Sequence, residues 1–467
     1  MKGSKLLRWI IVSGIGLRII LWLFQSAPEG DDGMRYLTES LNIVRHGVFS
    51  TEASTCPLPS AHDMPFWPAI MTLVYWLTNS VVVTQYIAGA VNILFMAACA
   101  LLLVSLLRHE PFAFSDRQLA VSAGVLLFMP EAVIYSLFHM PDQLAVFCII
   151  AALWFYFRGA VLGRGYFLGA IAMLLFSIYA KPICLPLAGA LLLSIPCLDI
   201  KKWRQGVFVS VVGFLIIGAG LYPWVLRNKE AFGTAGLTSI SGTNLYHCNW
   251  GRLVNQLPKS EQDSLMKDMS EFESKIAAFD LMKKSQLKGE YAKRQILAHL
   301  PAYVTYTIKR HPRLYAGTGT VALLRYLGLE RACDALDAMW GSNNARGFAP
   351  EHDTPYTVFE KAVGGCLQVI SWLILICGYV LVLLGMAKGV KLALGTGHAN
   401  RRKLVFVLCP ILSLILLAVV IGPITATRYR FIMIPFFAIL AGFSCADAKS
   451  PLGVRCAAFC ALVRSKA

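Results

Sequence analysis

The sequence predicts an all-α polytopic membrane protein with about ten transmembrane helices. Mean hydropathy is +0.61, and 57% of the 467 residues are hydrophobic, which exceeds the share typical of soluble domains. The apolar residues also collect in runs of the length that crosses roughly 30 Å of hydrocarbon, about 20 residues. These runs indicate one large helical membrane domain with extramembrane loops rather than a string of soluble domains.

The predicted spans follow one another along most of the chain, apart from two long polar segments. A shorter apolar stretch, residues 66–78, begins Pro65-Phe66-Trp67-Pro68 and is predicted to be a re-entrant or interfacial helix. The spans are predicted at roughly 5–27, 81–107, 117–137, 142–158, 165–181, 183–199, 205–226, 362–386, 404–422 and 431–446.

Charge sets the predicted orientation. With the N-terminus in the cytoplasm, every short loop assigned to that side is basic, as the positive-inside rule requires. The rule also explains the net charge of +17 without invoking nucleic acid. We therefore predict a multi-pass protein of the plasma (inner) membrane with both termini cytoplasmic. The basic loop and tail residues are Arg108, Arg117, Arg158, Arg164, Lys201, Lys202, Arg204, Lys388, Lys391, Arg401, Arg402, Lys403, Lys449, Arg455, Arg464 and Lys466.

Two long segments are predicted to lie outside the membrane on the extracytoplasmic face. They divide the chain into an N-terminal membrane domain (1–226) with a first outer loop (28–65), an extracytoplasmic loop region (227–361) and C-terminal transmembrane helices (362–467). Residues 260–298 are charged and amphipathic, which predicts helix. The loop region is accordingly expected to be mainly helical.

Asp31 and Asp32 follow the first span, in a chain with only 26 acidic residues. A carboxylate beside a dry cleft can act as a general base, because desolvation raises its pKa towards neutrality. The pair could equally be two solvated acids, or could cap the helix expected near Met34. The residues alone leave these alternatives open.

A second acid, Asp142, follows the short outer turn that contains His139. It could belong to the site or cap the next span. Glu131 lies near the outer end of a predicted span, where an acid is costly and needs a partner. Glu131 is therefore expected either in the site or in a hydrogen bond between helices.

Four cations on the predicted outer side run against the positive-inside trend. Arginine offers a bidentate fork to phosphate oxygens, so a lipid phosphate or pyrophosphate would explain them. Snorkelling towards lipid headgroups is the alternative for each one singly. The four are Lys181, Arg227, Arg428 and Arg430.

The segment from Ser241 to Trp250 is rich in amides and aromatic rings. Amides bond to sugar hydroxyls and aromatic faces stack on sugar C–H faces, so Asn244, Tyr246 and Asn249 are candidate sugar-binding residues, although a plain polar turn is the alternative. Arg18, inside the first span, is expected to face the bundle interior and to contact a carrier phosphate or a buried acid.

Motif searches exclude several enzyme classes. The sequence has no P-loop, no Rossmann glycine signature between strand and helix, and no HExxH or GxSxG. The thirteen cysteines show no CxxC-type metal spacing. Nucleotide-driven, zinc-protease and serine-hydrolase activities are therefore not indicated.

Four stretches resemble the GT-C class of polytopic glycosyltransferases, the family of protein O-mannosyltransferases and lipid A aminoarabinose transferases. The order of the stretches and their predicted topology carry the resemblance, which runs across almost the whole chain. The stretches are Asp32-Gly33-Met34-Arg35-Tyr36-Leu37 with Gly47-Val48-Phe49-Ser50; Pro65-Phe66-Trp67-Pro68; Pro223-Trp224, Arg227-Asn228, Phe232-Gly233 and Asn244-Leu245-Tyr246; and Arg428-Tyr429-Arg430 with Pro435.

The resemblance implies inverting transfer of a sugar from a polyprenyl-phosphate donor to a hydroxyl of a lipid, glycan or protein, on the extracytoplasmic face. Asp32, or Asp31, would deprotonate the acceptor, and Asp142 would be the acid of the second loop. Arg227, with Lys181, Arg428 or Arg430, would hold the phosphate. Such enzymes differ in metal use, so the resemblance leaves a divalent metal open and implies no other cofactor.

A lipid or sugar transporter or flippase is the alternative from another class. It predicts charges near the middle of the membrane, helices broken at corresponding positions and inverted repeats. The sequence has few central charges and no detectable repeat, which favours the transferase.

Overall fold

The computed structural model describes residues 5–25, 31–109, 111–163, 165–198, 202–340, 356–394, 400–424 and 426–446, and the described residues contain helices without strands. The first half of the chain forms α1 (Lys5–Leu23), α2 (Asp31–His46), α3 (Phe66–Thr78), α4 (Val81–Arg108), α5 (Asp116–Phe128), α6 (Pro130–Tyr135), α7 (Asp142–Leu162), α8 (Gly165–Ala180), α9 (Cys184–Leu198) and α10 (Trp203–Phe232).

The second half begins and ends with short helices, and its longest helices lie between them. It forms α11 (Ile240–Asn244), a π-helical turn (Leu245–Gly251), α12 (Arg252–Val254), α13 (Lys259–Ile276), α14 (Leu281–Ala298), α15 (Leu300–Ala316), α16 (Thr320–Tyr326), α17 (Glu330–Trp340), α18 (Val358–Leu394), α19 (Asn400–Ile421), α20 (Thr427–Phe431), α21 (Ile434–Gly442) and a 3₁₀ turn (Phe443–Cys445). The helix predicted over 260–298 is confirmed as the pair α13 and α14.

The membrane character of the sequence is confirmed. In the described part of the chain, α1, α4, α7, α10 and α18 are long and apolar enough to cross a membrane, and α3, α8, α9 and the apolar parts of α19 and α21 are shorter. The span predicted at 117–137 is two helices, because Pro130 cannot continue the hydrogen bonding of α5 and Met129 before it is extended. The prediction of ten spans stays a prediction.

α21 lies at the centre of the bundle, with every one of its residues buried. α18 packs closely against it because Gly385 has no side chain: a Cβ at this position would lie 1.9 Å from the carbonyl oxygen of Leu440. Since α20 directly precedes α21, the position of this central helix also fixes the arginines of α20.

The segment between α2 and α3, residues 47–65, is held in place by its backbone and by α2. Asn42 donates to the carbonyl oxygens of Ser50 (2.9 Å) and Glu52 (2.8 Å). The Ser239 N–H donates to the Ala61 carbonyl oxygen (2.7 Å), which fastens the segment to the start of α11. The segment is therefore well positioned although it has no regular secondary structure.

The helices between α10 and α18 contain a second, smaller core around the π-helical turn. Tyr246 and Trp250 are fully buried there against α13, α14 and α15. The domain boundaries predicted at 226 and 361 stay predictions, but α10 runs on to Phe232, so Arg227 lies in a helix.

Candidate active site

Charged side chains from four separate parts of the chain meet at the starts of α2, α7 and α20 and the end of α8. Asp32 is in the first turn of α2, and Asp142 opens α7. Lys181 directly follows α8, which ends there because the residue before Pro182 disfavours helix. Arg428 lies on α20, which begins soon after α19 ends at the left-handed Gly422 (φ +61°).

Asp32 bridges two arginines. Its Oδ1 accepts from Nη1 of Arg35 at 2.5 Å, and its Oδ2 accepts from Nη1 of Arg428. The carboxylate keeps 35% of its side-chain surface exposed. Asp32 therefore lies at an accessible edge of the cluster, with a cation on each oxygen.

Asp142 is the buried acid of the cluster, with no exposed side-chain surface. Lys181 Nζ donates to its Oδ1 at 2.5 Å, and Arg428 Nε lies 3.7 Å from the same atom. Its Oδ2 is buried without a hydrogen-bond partner among the described residues. Arg428 therefore lies between the two acids. Lys181 binds Asp142 from another side, and its Nζ lies 5.6 Å from the ring centre of Tyr429.

The two arginines keep Asp32 ionised. Burial by itself would raise the pKa of the Asp32 carboxyl, but the charges and hydrogen bonds of Arg428 and Arg35 outweigh burial and hold the pKa well below its usual range. A carboxylate held this way accepts a proton poorly. An anion that took one of the two arginines away from Asp32 would therefore raise the pKa of this carboxyl.

A second group of charged residues contacts Arg35 through the nitrogens that do not bind Asp32. Arg35 donates from Nε to Oδ2 of Asp63 at 2.5 Å, and His62 Nδ1 lies 3.0 Å from the same oxygen. Burial would raise the pKa of Asp63, yet hydrogen bonds from His62 and Arg35 lower it to about 2. Glu39, one turn further along α2 and fully buried, lies near Asp63.

Arg430 is remote from this cluster although it is only two residues from Arg428. It is fully buried, forms a bidentate ion pair with Glu131 (2.6 and 2.7 Å), and donates to the carbonyl oxygens of Leu314, Tyr315 and Gly317. These bonds engage all of its nitrogens. The partner expected for Glu131 is therefore Arg430, in a contact between helices.

Arg227 also has other partners in this structure. Its Nη1 donates to the Ser60 carbonyl oxygen (2.7 Å) and to Asn228 (2.9 Å), and its guanidinium lies over the rings of Phe49 and Trp224. Arg227 thus ties α10 to the 47–65 segment. Its assignment to a donor phosphate stays a prediction.

The predicted sugar-binding residues lie on and beside the π-helical turn. Tyr246 is fully buried, and its hydroxyl donates to the Met269 carbonyl oxygen (3.2 Å), so it is part of the smaller core. Asn249 donates to the Asn244 carbonyl oxygen (3.2 Å) and accepts from Tyr303 (2.8 Å). A Cβ at Gly422 would lie 3.0 Å from the Asn249 side-chain oxygen, so this amide borders the turn that leads into α20.

Arg18 and Asp31 are the remaining predicted site residues. Among the described residues, the hydrogen-bond partners of Arg18 are neutral oxygens rather than an acid: it donates to Ser136 (2.7 Å) and to the Gly14 and Ala132 carbonyl oxygens (2.8 Å each). The side chain of Asp31 lies outside the described residues, so its predicted role stays a prediction.

Of the side chains in this cluster, Asp32 and Asp142 are the described ones whose oxygens could bind a divalent metal. No three His, Cys, Asp or Glu side chains come together as a metal site in the part of the chain that the structure describes. Between Asp32 and Asp142, the positive charge is supplied by Arg428 and Lys181.

Sequence reasoning missed Arg35, Asp63, His62 and Glu39 as members of the charge network. Arg35 had a usable signal, because a cation three residues after Asp32 on a helix lies on the same face. Asp63 had only its position, just before the Pro65-Phe66-Trp67-Pro68 stretch.

An apolar cavity of about 980 Å³ lies between α15, α18 and α19. Its walls include Tyr315 and Tyr379, whose hydroxyl donates to the Tyr315 carbonyl oxygen (2.9 Å). Arg430 donates to that same carbonyl oxygen (2.8 Å). The cavity is therefore joined through its wall to α20, the helix that carries Arg428.

No protein-family model matches this chain, and no curated protein sequence matches it. Among solved structures, it is similar to the oligosaccharyltransferase of Archaeoglobus fulgidus in the apo form, with 10% identity, a TM-score of 0.50, and coverage of 98% of this chain and 52% of that one.

Two further structures extend the comparison. AglB from Archaeoglobus fulgidus, in complex with an inhibitory peptide and a dolichol-phosphate, also has a TM-score of 0.50 and 10% identity over 99% of this chain and 54% of that one. ArnT from Cupriavidus metallidurans, bound to undecaprenyl phosphate, has 15% identity and a TM-score of 0.40 over 93% and 77%.

The chain spans about half the length of the two archaeal structures that it matches. The match nevertheless runs over nearly all of this chain and concerns an all-helical membrane protein. The chain therefore shares the helical membrane fold of the archaeal oligosaccharyltransferase structures.

Proposed function

We propose that this protein transfers a sugar from a polyprenyl-phosphate donor to an acceptor hydroxyl, with inversion at the anomeric carbon and Asp32 as the general base. The observation that carries the proposal is the bridge of Asp32 between Arg35 and Arg428, with Lys181 and Asp142 directly behind. The reaction needs a partly exposed acid, and Asp32 is one. The cations that Asp32 contacts are suited to binding a departing phosphate.

Arg428 and Lys181 are the proposed phosphate-binding cations. Arg428 keeps 20% of its side chain exposed, and Lys181 supports it through Asp142. Arginine binds phosphate oxygens through two parallel hydrogen bonds, which makes phosphate a strong competitor for a guanidinium now held by a carboxylate. Arg430, whose nitrogens are all engaged elsewhere, and Arg227, whose two terminal nitrogens bind other oxygens, would contribute by holding the surrounding elements in place.

Donor binding would convert Asp32 from an ion-pair partner into a base. When the donor phosphate takes Arg428, Asp32 loses one of the two charges that depress its pKa and regains affinity for a proton. Activation of the base is thereby tied to the presence of the donor. An empty site would keep Asp32 unreactive towards passing hydroxyls.

The transfer step forms one bond at the anomeric carbon and breaks another. Asp32 takes the proton of the acceptor hydroxyl, the hydroxyl oxygen forms a bond to the anomeric carbon, and the bond from that carbon to the phosphate oxygen breaks. The electron pair leaves with the polyprenyl phosphate, whose extra negative charge Arg428 and Lys181 stabilise. Attack from the face opposite the phosphate inverts the anomeric configuration.

The apolar cavity between α15, α18 and α19 suits the polyprenyl chain of the donor. It is lined by apolar and aromatic side chains and is joined to α20 through Tyr315. An apolar stripe on the neighbouring helices, comprising Leu297, Leu300, Val304 and Ile308, is exposed. Such a stripe suits a helix lying in the membrane interface, at the level where a lipid phosphate is presented.

Asn249 is the proposed sugar-reading residue, because its amide borders the turn into α20. Asn244 supports it through its carbonyl oxygen, and Tyr246 through the smaller core. In this proposal, the whole site is on the extracytoplasmic face, as the basic cytoplasmic loops predict.

The test is transfer by purified protein in lipid nanodiscs, supplied with a panel of polyprenyl-phosphate sugars and hydroxyl acceptors and assayed by mass spectrometry. Asp32→Asn should reduce transfer by about 10² to 10⁴-fold, the range for loss of a general base. Asp116→Asn, which removes an exposed ion pair with Arg108, is the matched control and should be fully active. Normal turnover by Asp32→Asn would refute the base assignment.

A further inference from the structure

The carboxylate of Asp63 fixes the orientation of Arg35. It accepts from Arg35 Nε at 2.5 Å and from Nη2 at 3.3 Å, a two-point contact that sets the plane of the guanidinium. The remaining terminal nitrogen, Nη1, donates to Asp32 at 2.5 Å. A continuous chain of charge-assisted hydrogen bonds therefore runs from Asp63 through Arg35 to Asp32.

Asp63 is itself well fixed, since only 8% of its side chain is exposed. The ring Nδ1 of His62 lies 3.0 Å from the same carboxylate, and the backbone N–H of His62 donates to Ser60 Oγ at 3.1 Å. Neighbouring backbone groups are tied to α10 and α11 by Arg227 and Ser239. Asp63 is therefore held in place by the 47–65 segment together with α10 and α11, rather than by one loop.

Glu39 completes the arrangement behind Asp63. Residues 32, 35 and 39 share one face of α2, by the i, i+3, i+7 spacing of a helix. Glu39 is fully buried, and its carboxyl shares a hydrogen bond with the carboxyl of Asp63. The charged groups that act on it are Asp63, Arg35 and Arg227.

Two neighbouring buried carboxylates cannot both be ionised at low cost. Asp63 receives hydrogen bonds from Arg35 and His62, so Asp63 carries the negative charge and Glu39 carries the proton. The pKa of Glu39 accordingly lies well above its usual value, because of burial first and repulsion by Asp63 second.

We infer that Asp63 is a positioning residue for the proposed base, acting through Arg35, and that protonated Glu39 keeps Asp63 bound to Arg35. The inference rests on the proposed function and adds two residues to it. If Glu39 ionises, it repels Asp63 and competes for Arg35, and Asp32 loses its fixed orientation. Transfer should therefore decline on the alkaline side as Glu39 loses its proton.

Turnover variants test the positioning role. Asp63→Asn should lower kcat by about 10²-fold with a small change in KM for the donor, because a misplaced base costs rate rather than binding. Glu39→Gln, which mimics the protonated acid, should keep kcat near neutral pH and extend activity to higher pH. Asp116→Asn should leave the rate and pH profile unchanged. Full activity of Asp63→Asn, or an unaltered alkaline limb in Glu39→Gln, would overturn the inference.

Infrared spectroscopy tests the pairing without any turnover. The wild type should show a buried protonated carboxyl band that Glu39→Gln lacks. In Asp63→Asn the band should disappear at lower pH than in the wild type, because the repelling charge is gone. A wild type without the band contradicts the pairing even if Asp63→Asn fails to fold. A wild type that shows the band yet transfers no sugar would instead refute the proposed function.

Discussion

Arg428 and Arg430 lie on the same five-residue helix, but their surroundings differ in burial and in hydrogen bonding. Arg430 is fully buried, and its donors are shared between Glu131 and three backbone carbonyl oxygens. Arg428 keeps 20% of its side chain exposed and divides its charge between Asp32 and Asp142, the second at 3.7 Å.

The difference separates a structural ion pair from a candidate site. A fully satisfied buried pair has nothing to offer a ligand, and breaking it leaves an uncompensated charge. The cluster around Arg428 is only partly satisfied, since Asp142 Oδ2 has no hydrogen-bond partner among the described residues. Arg428 lies at the accessible edge of the cluster, where its guanidinium can exchange a carboxylate partner for a phosphate oxygen.

The largest expected effect comes from breaking the structural pair. Arg430→Ala should destabilise the protein by about 3–5 kcal/mol, because Glu131 would remain buried without its partner. Thermal unfolding in detergent, followed by intrinsic fluorescence, would measure the loss. A double variant, Glu131→Leu with Arg430→Met, should recover part of it. A stable Arg430→Ala protein that had lost only donor binding would move Arg430 into the site.

The matching change two residues earlier should spare the fold. Arg428→Ala should lower kcat/KM by about 10² to 10³-fold, as expected for loss of one donor to a developing negative charge. Its melting temperature should stay near the wild-type value. Steady-state transfer assays and the same melting experiment check both halves, and a large stability loss with normal turnover would reverse the comparison.

Acid should weaken the charge network behind the site. The folded-state pKa of Asp63 is lowered from 3.8 to about 2, so the ionised carboxylate contributes stability that is present above the unfolded-state pKa and is lost as pH falls through the folded one. The contribution is about 2 kcal/mol for a shift of this size. Unfolding measured from about pH 6 down to about pH 2 should show this loss, which Asp63→Asn should lack.

The smallest effect is expected at Arg227. Arg227→Ala removes hydrogen bonds to the Ser60 carbonyl oxygen and to Asn228, and should cost about 1 kcal/mol of stability. Transfer should fall several-fold at most, through loosening of the 47–65 segment. Donor titrations would check this: a loss of donor affinity as large as that of Arg428→Ala would return Arg227 to the phosphate site.

The sequence predicted the helical membrane fold, because apolar runs of fixed length allow few other structures. It also identified Asp32, Asp142, Lys181 and Arg428 as candidates, because charges are costly near a membrane and so are conspicuous. Four separated loops supplied these residues, and the structure brings all four side chains together.

The sequence could not rank Arg428 above Arg430. Residues two apart on a helix point about 200° away from each other, so one of the two had to face away from the site. Which one does so depends on the central position of α21 and on the break at Pro130 that brings Glu131 near α20. The hydrogen bonds that link Asp63 through Arg35 to Asp32 could not be predicted either. They join an irregular segment to a helix, and the sequence does not show how these two elements pack.

Competition between Asp32 and a phosphate for Arg428 is the centre of the account, and one binding measurement tests it most directly. Polyprenyl phosphate, without a sugar, would be titrated into wild-type and Asp32→Asn protein in nanodiscs. Removing the competing carboxylate should tighten binding by up to about tenfold, or about 1.4 kcal/mol, in a variant that transfers no sugar. Equal or weaker binding of polyprenyl phosphate by Asp32→Asn would show that the two anions do not compete for Arg428.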